Sequence, residues 1–322
     1  MRSFSDLSTD EQGVHLSQLA VEVMGDYPFS LSDIELINLE FNATFKVTTS
    51  TGDFYALRIN VNSLRTLPNL NGEIAFVTFL LQNTSLSIPE PIARTDGALV
   101  SAVHSEFFSR PLNCVLYSWL EGAELGDEPT EEQLFALGAV MANLHIATRA
   151  FVLPQNANLP ILQDFMWGER NHLFETRSGY EAEACSAVTS MIRRIQELIN
   201  RLYDGAKPQV IHADLHGWNV MWHEGKLSLF DFDDCGIGLP IQDLATALYY
   251  LDTPEQDAAL LAGYKSISEI PPYSEQEMKM LLLHRRLLLL NYLFETTNNG
   301  HKEMIPAYLT ETLKRIESCS NS

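Results

Sequence analysis

Cysteine is scarce in this chain, and the cysteines that it has form no cluster. The 322 residues include only four cysteines, and no two of them are spaced as Cys-x-x-Cys. Structural zinc sites and redox-active dithiols need closely spaced cysteines, so the pattern argues against both kinds of site. It indicates reduced thiols in a cytoplasmic protein instead. The four residues are Cys114, Cys185, Cys235 and Cys319.

Basic residues are also few. Lys and Arg number 21 against 42 Asp and Glu, which gives a formal net charge of −21 at pH 7. Proteins bind nucleic acids through basic patches, so this balance argues against a nucleic acid as the partner. The acidic surface either steers a cationic small molecule toward the protein or only maintains its solubility, and the charge alone leaves both interpretations open.

The chain lacks an apolar run long enough to cross a bilayer. Its densest apolar stretch, at 281–294, is interrupted by His284, Arg285 and Arg286 and is shorter than the ~20 residues of a membrane helix. Residues 1–12 are polar and show no apolar segment of the kind found in secretory signals. We therefore expect no membrane association and a buried helix at 281–294.

Helical and extended patterns divide the chain near residue 120. The first part has several short runs rich in β-branched and aromatic residues, and Thr51-Gly52-Asp53 marks a turn between two of them. The second part is mainly helical, and Thr130 is placed to cap its first helix. We predict an α+β protein with a small, mainly β lobe over residues 1–120 and a larger helical lobe over residues 121–322. The predicted strands cover 34–40, 44–49, 54–60, 89–94, 114–120, 210–211 and 226–230, and the predicted helices cover 10–24, 71–82, 181–203, the stretch after Thr130 and three more patterns before about residue 318.

One polar motif stands between the two short strands of the second part. His212, Asp214 and Asn219 follow the order His-x-Asp-x-x-x-x-Asn, and Asp231 comes directly after the next apolar strand. This order matches the protein-kinase catalytic loop and the metal-binding Asp that follows it. In phosphoryl transfer one carboxylate accepts the proton of the attacking hydroxyl, while an amide and a second carboxylate hold Mg²⁺ on the nucleotide phosphates. The alternative, that these acids only cap turns and helices, suits a single Asp better than several polar groups in this order.

The residues after this motif carry a family resemblance. Asp231-Phe232-Asp233-Asp234, Gly238-Leu239-Pro240 and Asp243-Leu244-Ala245 follow one another in the order expected of one family. Residues 34–300 are similar to the aminoglycoside phosphotransferase and choline kinase family, which includes homoserine-kinase-like and bacterial stress-response kinase-like members and has a bilobal, protein-kinase-like fold. The resemblance implies Asp214 as the catalytic base, His212 as the residue that orients its loop, Asn219 and Asp231 as the Mg²⁺ ligands, and Asp243 as a structural anchor of the loop.

The resemblance also implies a nucleotide site in the first part of the chain, for ATP or GTP. Arg58 stands where kinases have a phosphate-binding Lys, and Glu73 is its expected partner. The segment 40–46 replaces the glycine-rich loop of kinases and contains no glycine, so side chains would have to cover the phosphates. The residues expected at the nucleotide are Arg58, Glu73, Asn42 and Thr44, together with the backbone of Ser118 and Leu120 at the adenine.

The sequence says less about the molecule that accepts the phosphoryl group. Acidic residues at 121–132 are best interpreted as a solvated helix start. Candidate acceptor contacts are Asp233, Asp234, Trp167, Trp218, Tyr292 and Glu295, since aromatic faces and carboxylates suit an amine. The predicted function is phosphoryl transfer to a hydroxyl of an amine-bearing small molecule such as an aminoglycoside, choline, ethanolamine or homoserine. A protein Ser/Thr kinase and a nucleotide-binding pseudokinase are the alternatives, and a monomer and a homodimer are both left open.

Overall fold

Two compact units make up the protein. A computed structural model describes residues 3–63, 65–173, 182–296 and 299–320. The first unit comprises residues 1–121 with 153–158, and the second comprises residues 122–152 with 159–322. Glu181, the predicted first residue of the long helix, lies outside the described residues.

The first unit is built on an antiparallel sheet of five strands. Their spatial order is β1-β2-β3-β5-β4, and Gly52, with a φ of 88°, allows the tight turn between β2 and β3. The inner face of the sheet packs fully buried side chains such as Phe45, Leu57 and Leu116. The elements are α1 (Thr9–Met24), β1 (Leu31–Leu39), β2 (Ala43–Thr49), β3 (Phe54–Ile59), α2 (Leu67–Asn83), β4 (Ser101–Val103) and β5 (Leu112–Ser118).

One predicted strand of this unit was wrong, and one predicted helix begins earlier than expected. The predicted strand at 89–94 is only an isolated bridge between Pro91 and Tyr117, because Pro89 and Pro91 have no N–H with which to extend a ladder. The strand that pairs with β5 at this edge is β4 instead. Helix α2 covers the predicted range 71–82 but begins earlier, at Leu67. Pro68 lies in its first turn, where a residue without an N–H costs no hydrogen bond.

The second unit is mainly helical. Thr130 caps α3 as predicted, and its Oγ1 accepts a hydrogen bond of 3.3 Å from the Gln133 N–H. Helices α3 and α6 pack closely through two glycines, since a Cβ on Gly138 or on Gly263 would lie about 2 Å from a backbone oxygen of the other helix. The helices are α3 (Glu131–Thr148), α4 (Ala182–Tyr203), α5 (Pro240–Tyr249), α6 (Pro254–Ile267), α7 (Glu275–Glu295) and α8 (Asn299–Ser320). In the part of the chain that the structure describes, four helices lie beyond Asp231, namely α5, α6, α7 and α8, where the sequence patterns predicted three.

Short strands frame the motif in this unit. Strands β8 and β9 form a hairpin whose turn residues, Glu224 and Gly225, both have positive φ, as a tight two-residue turn requires. The sequence patterns missed β8, which is only four residues long. The strands are β6 (Ala123–Glu124), β7 (Gln209–Ile211), β8 (Val220–His223), β9 (Lys226–Leu229) and β10 (Gly236–Gly238). Among the described residues, no helix combines the length and the apolar character needed to span a bilayer.

Candidate active site

The carboxylate of Asp243 fixes the backbone at the start of the motif. Asp243 lies on α5 and is completely buried. One of its oxygens accepts the His212 N–H at 3.0 Å, and the other accepts the Ala213 N–H at 2.6 Å. His145 on α3 donates from Nε2 to the same carboxylate at 2.9 Å, and its Nδ1 pairs with the hydroxyl of Tyr264 on α6 at 2.9 Å. Three helices thereby hold one loop in place.

Two residues of the site adopt a backbone conformation that side chains disfavour. Ala213 has a φ of 69°, and Asp231 has a φ of 58°. A non-glycine residue in this left-handed region costs about 1–3 kcal/mol and persists only where its surroundings impose it. For Ala213 the imposing contact is its hydrogen bond to Asp243. The turn at Ala213 sets the direction in which Asp214 leaves the loop.

His212 ties the motif to the strand that leads to Asp231. Its ring is buried, and Nε2 donates to the carbonyl oxygen of Phe230 at 3.0 Å. Nδ1 accepts the Asp214 N–H at 3.4 Å. Burial lowers the pKa of His212, although the carboxylates of Asp243 and Asp214 oppose that effect. A neutral ring with its proton on Nε2 fits both contacts, so His212 has a structural role in this arrangement.

Asp214 is an ionised carboxylate that is held from several sides. Its Oδ1 accepts from the Arg285 guanidinium and lies 3.4 Å from His216 Nε2. Its Oδ2 accepts from Asn219 Nδ2 at 3.1 Å. Burial by itself would raise the pKa of Asp214, but Arg285 and His216 outweigh it and hold that pKa well below its usual range. The side chain keeps 20% of its surface exposed, so a ligand can reach it.

The sequence did not point to Arg285. It lies on α7, where it interrupts the apolar run at 281–294 and is only 8% exposed. A guanidinium inside an apolar helix needs a partner, because an unpaired buried charge is strongly unfavourable. That signal predicts that an acceptor lies opposite Arg285, and the structure identifies it as the Asp214 carboxylate.

Asn219 and Asp231 lie at the same end of the β8–β9 hairpin. Val220 pairs with Leu229, and the Phe230 N–H donates to the Asn219 carbonyl at 3.1 Å. The Asn219 side chain uses Nδ2 to donate to the Asp214 carbonyl at 2.8 Å, which leaves its Oδ1 facing elsewhere. Asp231 is exposed. Among the described residues no group of three or more His, Cys, Asp or Glu side chains is arranged to hold a metal.

The candidate acceptor residues fall into two groups. Trp167 is buried against the start of the motif, in a cluster with Ala213. Trp218 lies within the motif and is 46% exposed, and its Nε1 donates to Asp127 at 2.8 Å. Asp233 and Asp234 also belong here, in the single 3₁₀ turn that follows Asp231. On α7, Glu295 lies 3.8 Å from His172 and Tyr292 pairs with His301 at 3.1 Å, more than one helical turn beyond Arg285.

The backbone at Phe165, two residues before Trp167, is hydrogen-bonded to α7. His284 Nε2 donates to the Phe165 carbonyl at 2.7 Å, and burial lowers the pKa of His284 to about 4. The ring of Trp167 lies edge-on to that of His284, with a centroid separation of 5.7 Å. Trp167 itself has a φ of 56°, which is unusual for so large a residue. The described contacts thus join Trp167, α7 and the motif loop.

In the first unit, the predicted partners Arg58 and Glu73 meet. Arg58 Nη2 and Glu73 Oε2 are 2.6 Å apart, and both side chains are buried. The hydroxyl of Tyr117 donates to the other Glu73 oxygen at 2.7 Å, a contact that the sequence did not predict. Thr44 lies opposite Arg58 in the β2–β3 register, and the Glu40 N–H donates to the carbonyl of Asn42.

The predicted adenine-binding segment is the end of β5. The Ser118 N–H donates to the Glu90 carbonyl at 2.8 Å, and its hydroxyl accepts the Glu90 N–H at 2.8 Å. The Ser118 N–H is therefore already engaged, whereas Leu120 lies two residues beyond the strand. The Ser118 N–H is therefore not available to an adenine in this arrangement.

Known proteins resemble this chain over most of its length. Amicoumacin kinase of Bacillus subtilis (strain 168) is 24% identical, with 90% of this chain and 89% of that protein covered. Homoserine kinase of Methylorubrum populi (strain ATCC BAA-705 / NCIMB 13946 / BJ001) is 27% identical, with 84% of this chain and 81% of that protein covered.

Solved structures show the fold class. A microcompartment-associated aminopropanol kinase superimposes with a TM-score of 0.77 at 24% identity, covering 94% of this chain and 96% of that one. An amicoumacin kinase in complex with AMP-PNP and Ca²⁺ gives a TM-score of 0.75 at 20% identity, covering 93% of both chains. The predicted α+β, protein-kinase-like fold is confirmed.

The sequence profile of the phosphotransferase enzyme family matches residues 33–277. That range includes the strands of the first unit, except for the first two residues of β1, and the complete motif from His212 to Asp243. The chain therefore belongs to the phosphotransferase enzyme family and is a kinase.

Proposed function

We propose that this protein transfers the γ-phosphoryl group of ATP to a hydroxyl of an amine-bearing small molecule. The observation that carries the proposal is the set of contacts that surround the Asp214 carboxylate. It is an ionised, partly exposed carboxylate on a loop that Asp243 fixes. Asn219 contacts it directly, and Asp231 lies at the end of the same hairpin as Asn219.

Asp214 is proposed as the catalytic base. Phosphoryl transfer passes through a loose transition state, so the base contributes mainly by orienting the acceptor hydroxyl and taking its proton as the new bond forms. The ionised carboxylate would accept a hydrogen bond from the acceptor hydroxyl in the ground state and so orient that hydroxyl for attack. The contacts to Arg285 and Asn219 hold the carboxylate in one orientation.

Asn219 and Asp231 are proposed as the ligands of a divalent cation, Mg²⁺. The donor set fits, since the Asn219 Oδ1 is turned away from the hydrogen bond made by its Nδ2 and the Asp231 carboxylate is exposed. Mg²⁺ prefers such hard oxygens and is commonly held by one or two protein groups together with substrate phosphates. When bound, the ion would offset the negative charge of those phosphates.

ATP is the proposed donor, bound through the first unit. Arg58, which is held by its ion pair with Glu73, would donate hydrogen bonds from its guanidinium to the phosphates. Asn42 and Thr44 would cover the phosphates in place of a glycine-rich loop, and Ser118 and Leu120 would contact the adenine through their backbone. A related kinase structure contains AMP-PNP, which supports an adenine nucleotide.

The acceptor is proposed to carry both a hydroxyl and an amine. Homoserine and aminopropanol, after which two of the similar proteins are named, share these two groups. Close to Asp231, Asp233 and Asp234 supply negative charge, and the exposed Trp218 supplies an aromatic face. An ammonium group is attracted by both. Trp167, which is buried beside Ala213, is a further candidate. Tyr292 and Glu295 are candidates for the more distant part of a larger acceptor.

A coupled assay of nucleoside diphosphate release tests the proposal. We expect Mg²⁺-dependent ADP release with at least one of 1-amino-2-propanol, homoserine, ethanolamine, choline and an aminoglycoside. The matched control is 1,2-propanediol, which has the hydroxyl groups but no amine and should be at least about tenfold poorer by the loss of one charged contact. Equal turnover of the diol would contradict the amine requirement. Phosphorylation of a polypeptide, with none of the small molecules turned over, would favour a protein kinase instead.

A further inference from the structure

Arg285 lies outside the motif, yet it contacts the candidate base. Its Nη2 donates to Oδ1 of Asp214 and, at 2.9 Å, to the hydroxyl of Tyr250. We propose that Arg285 is a positioning residue for phosphoryl transfer, which holds the Asp214 carboxylate in the orientation that the acceptor hydroxyl requires. This inference rests on the proposed function of Asp214 as the base.

Tyr250 keeps the Arg285 guanidinium in place from a second side. Tyr250 follows the last residue of α5, and its ring lies 5.5 Å from the guanidinium carbon. The same ring stacks on His216, with centroids 4.1 Å apart, and His216 is itself 3.4 Å from Asp214. A closed ring of contacts therefore joins Asp214, Arg285, Tyr250 and His216. Both hydrogen bonds leave the same nitrogen of Arg285, Nη2, so Tyr250 helps to fix the donor from which Asp214 accepts.

The two Asp214 oxygens are held by different groups. Oδ1 is bound by Arg285, and Oδ2 is bound by the Asn219 amide at 3.1 Å. An ionised carboxylate has about four acceptor sites, so these contacts leave room for a hydroxyl while fixing the plane of the group. Loss of Arg285 would let the carboxylate rotate. Misorientation of a reacting group by about 1 Å costs on the order of 10²-fold in rate.

The neighbouring residue provides a matched control. Arg286 is also buried, at 6% exposure, and it lies on the same helix. Its Nε donates to Thr312, its Nη1 to Tyr249 and its Nη2 to the Tyr308 carbonyl. Its guanidinium lies 4.0 Å from the Tyr308 ring. Arg286 thus joins α7 to α8 and to the last residue of α5, and none of these contacts is with residues 212–219 of the motif loop.

The test compares steady-state kinetics of the full-length wild type with R285M, R285K, R285A and R286M, using ATP, Mg²⁺ and the acceptor identified in the panel. For R285M we expect kcat to fall by about 10²-fold, with the KM for ATP within about threefold of wild type. R285K should recover part of the loss, and added guanidinium ion at concentrations below those that unfold the protein should raise the kcat of R285A. R286M should keep kcat within about threefold of wild type. Melting temperatures show which variants remain folded.

Each other outcome overturns the assignment. A wild-type kcat in R285M shows that Asp214 does not need Arg285. A higher KM for the acceptor at unchanged kcat makes Arg285 a binding residue instead. Equal loss of kcat in R285M and R286M, with no response of R285A to guanidinium, assigns only a structural role. A wild type that turns over no acceptor overturns the proposed function and this inference with it, whereas an active wild type beside an equally active R285M overturns the inference alone.

Discussion

Replacing Asp214 with asparagine is expected to lower kcat by about 10³-fold, within the range of a general base. The amide keeps the size of the side chain but cannot take the proton of the acceptor hydroxyl. It also leaves Arg285 facing a neutral group. The nucleotide site is proposed to lie on other residues, so the dissociation constant for AMP-PNP should change by less than about threefold. Turnover by the coupled assay and binding by calorimetry measure the two quantities.

Asp252→Asn is the control for this experiment. Asp252 is an exposed carboxylate in the same unit, and its substitution should leave both quantities at wild-type values. The melting temperature of Asp214→Asn separates a catalytic loss from an unfolded sample. Wild-type turnover in a folded Asp214→Asn protein would show that Asp214 is not the catalytic base.

Replacing Asp243 with alanine is expected to lower the free energy of unfolding by about 3–5 kcal/mol, because it removes a buried charged acceptor and leaves the donors around it unsatisfied. Three donors lose their acceptor together: the His212 N–H, the Ala213 N–H and the His145 Nε2. The Asp243 side chain is completely buried, so water cannot readily replace its carboxylate. Folded proteins are commonly stable by only 5–15 kcal/mol, so this is a large part of the total.

Urea unfolding at pH 7 measures the effect, with Asp252→Ala as the exposed control. Asp243→Asn provides a milder variant if the alanine protein does not fold. It keeps one acceptor oxygen, but its amide nitrogen faces N–H donors, so we expect a smaller loss of stability together with a lower kcat. An Asp243→Ala protein within about 1 kcal/mol of wild type would show that the loop does not depend on this carboxylate.

Local patterns in the sequence predicted most of the architecture. The β-branched runs predicted β1, β2, β3 and β5, and Thr130 predicted the start of α3, because these features depend on neighbours within a few residues. The motif from His212 to Asp243 was recognisable because its residues lie close together in the chain. The strand at 89–94 was predicted wrongly, because its two prolines remove N–H groups that a strand ladder would need.

Contacts between distant parts of the chain were not predictable in the same way. Arg285 is 71 residues from Asp214, and Tyr117 is 44 residues from Glu73. Pairing at such separations depends on how the helices and strands pack, which no local pattern encodes. The buried arginine on α7 still carried a usable signal, since a charge in an apolar helix requires a partner. The catalytic, metal-binding and nucleotide-binding roles stay predictions.

A crystal structure with AMP-PNP and Mn²⁺ would test the central claim most directly. We predict an anomalous Mn²⁺ peak within coordination distance of the Asn219 Oδ1 and the Asp231 carboxylate, with the nucleotide phosphates completing the shell and Asp214 facing the γ-phosphoryl group. Binding of the metal and nucleotide at residues remote from Asp214, Asn219 and Asp231 would contradict the account.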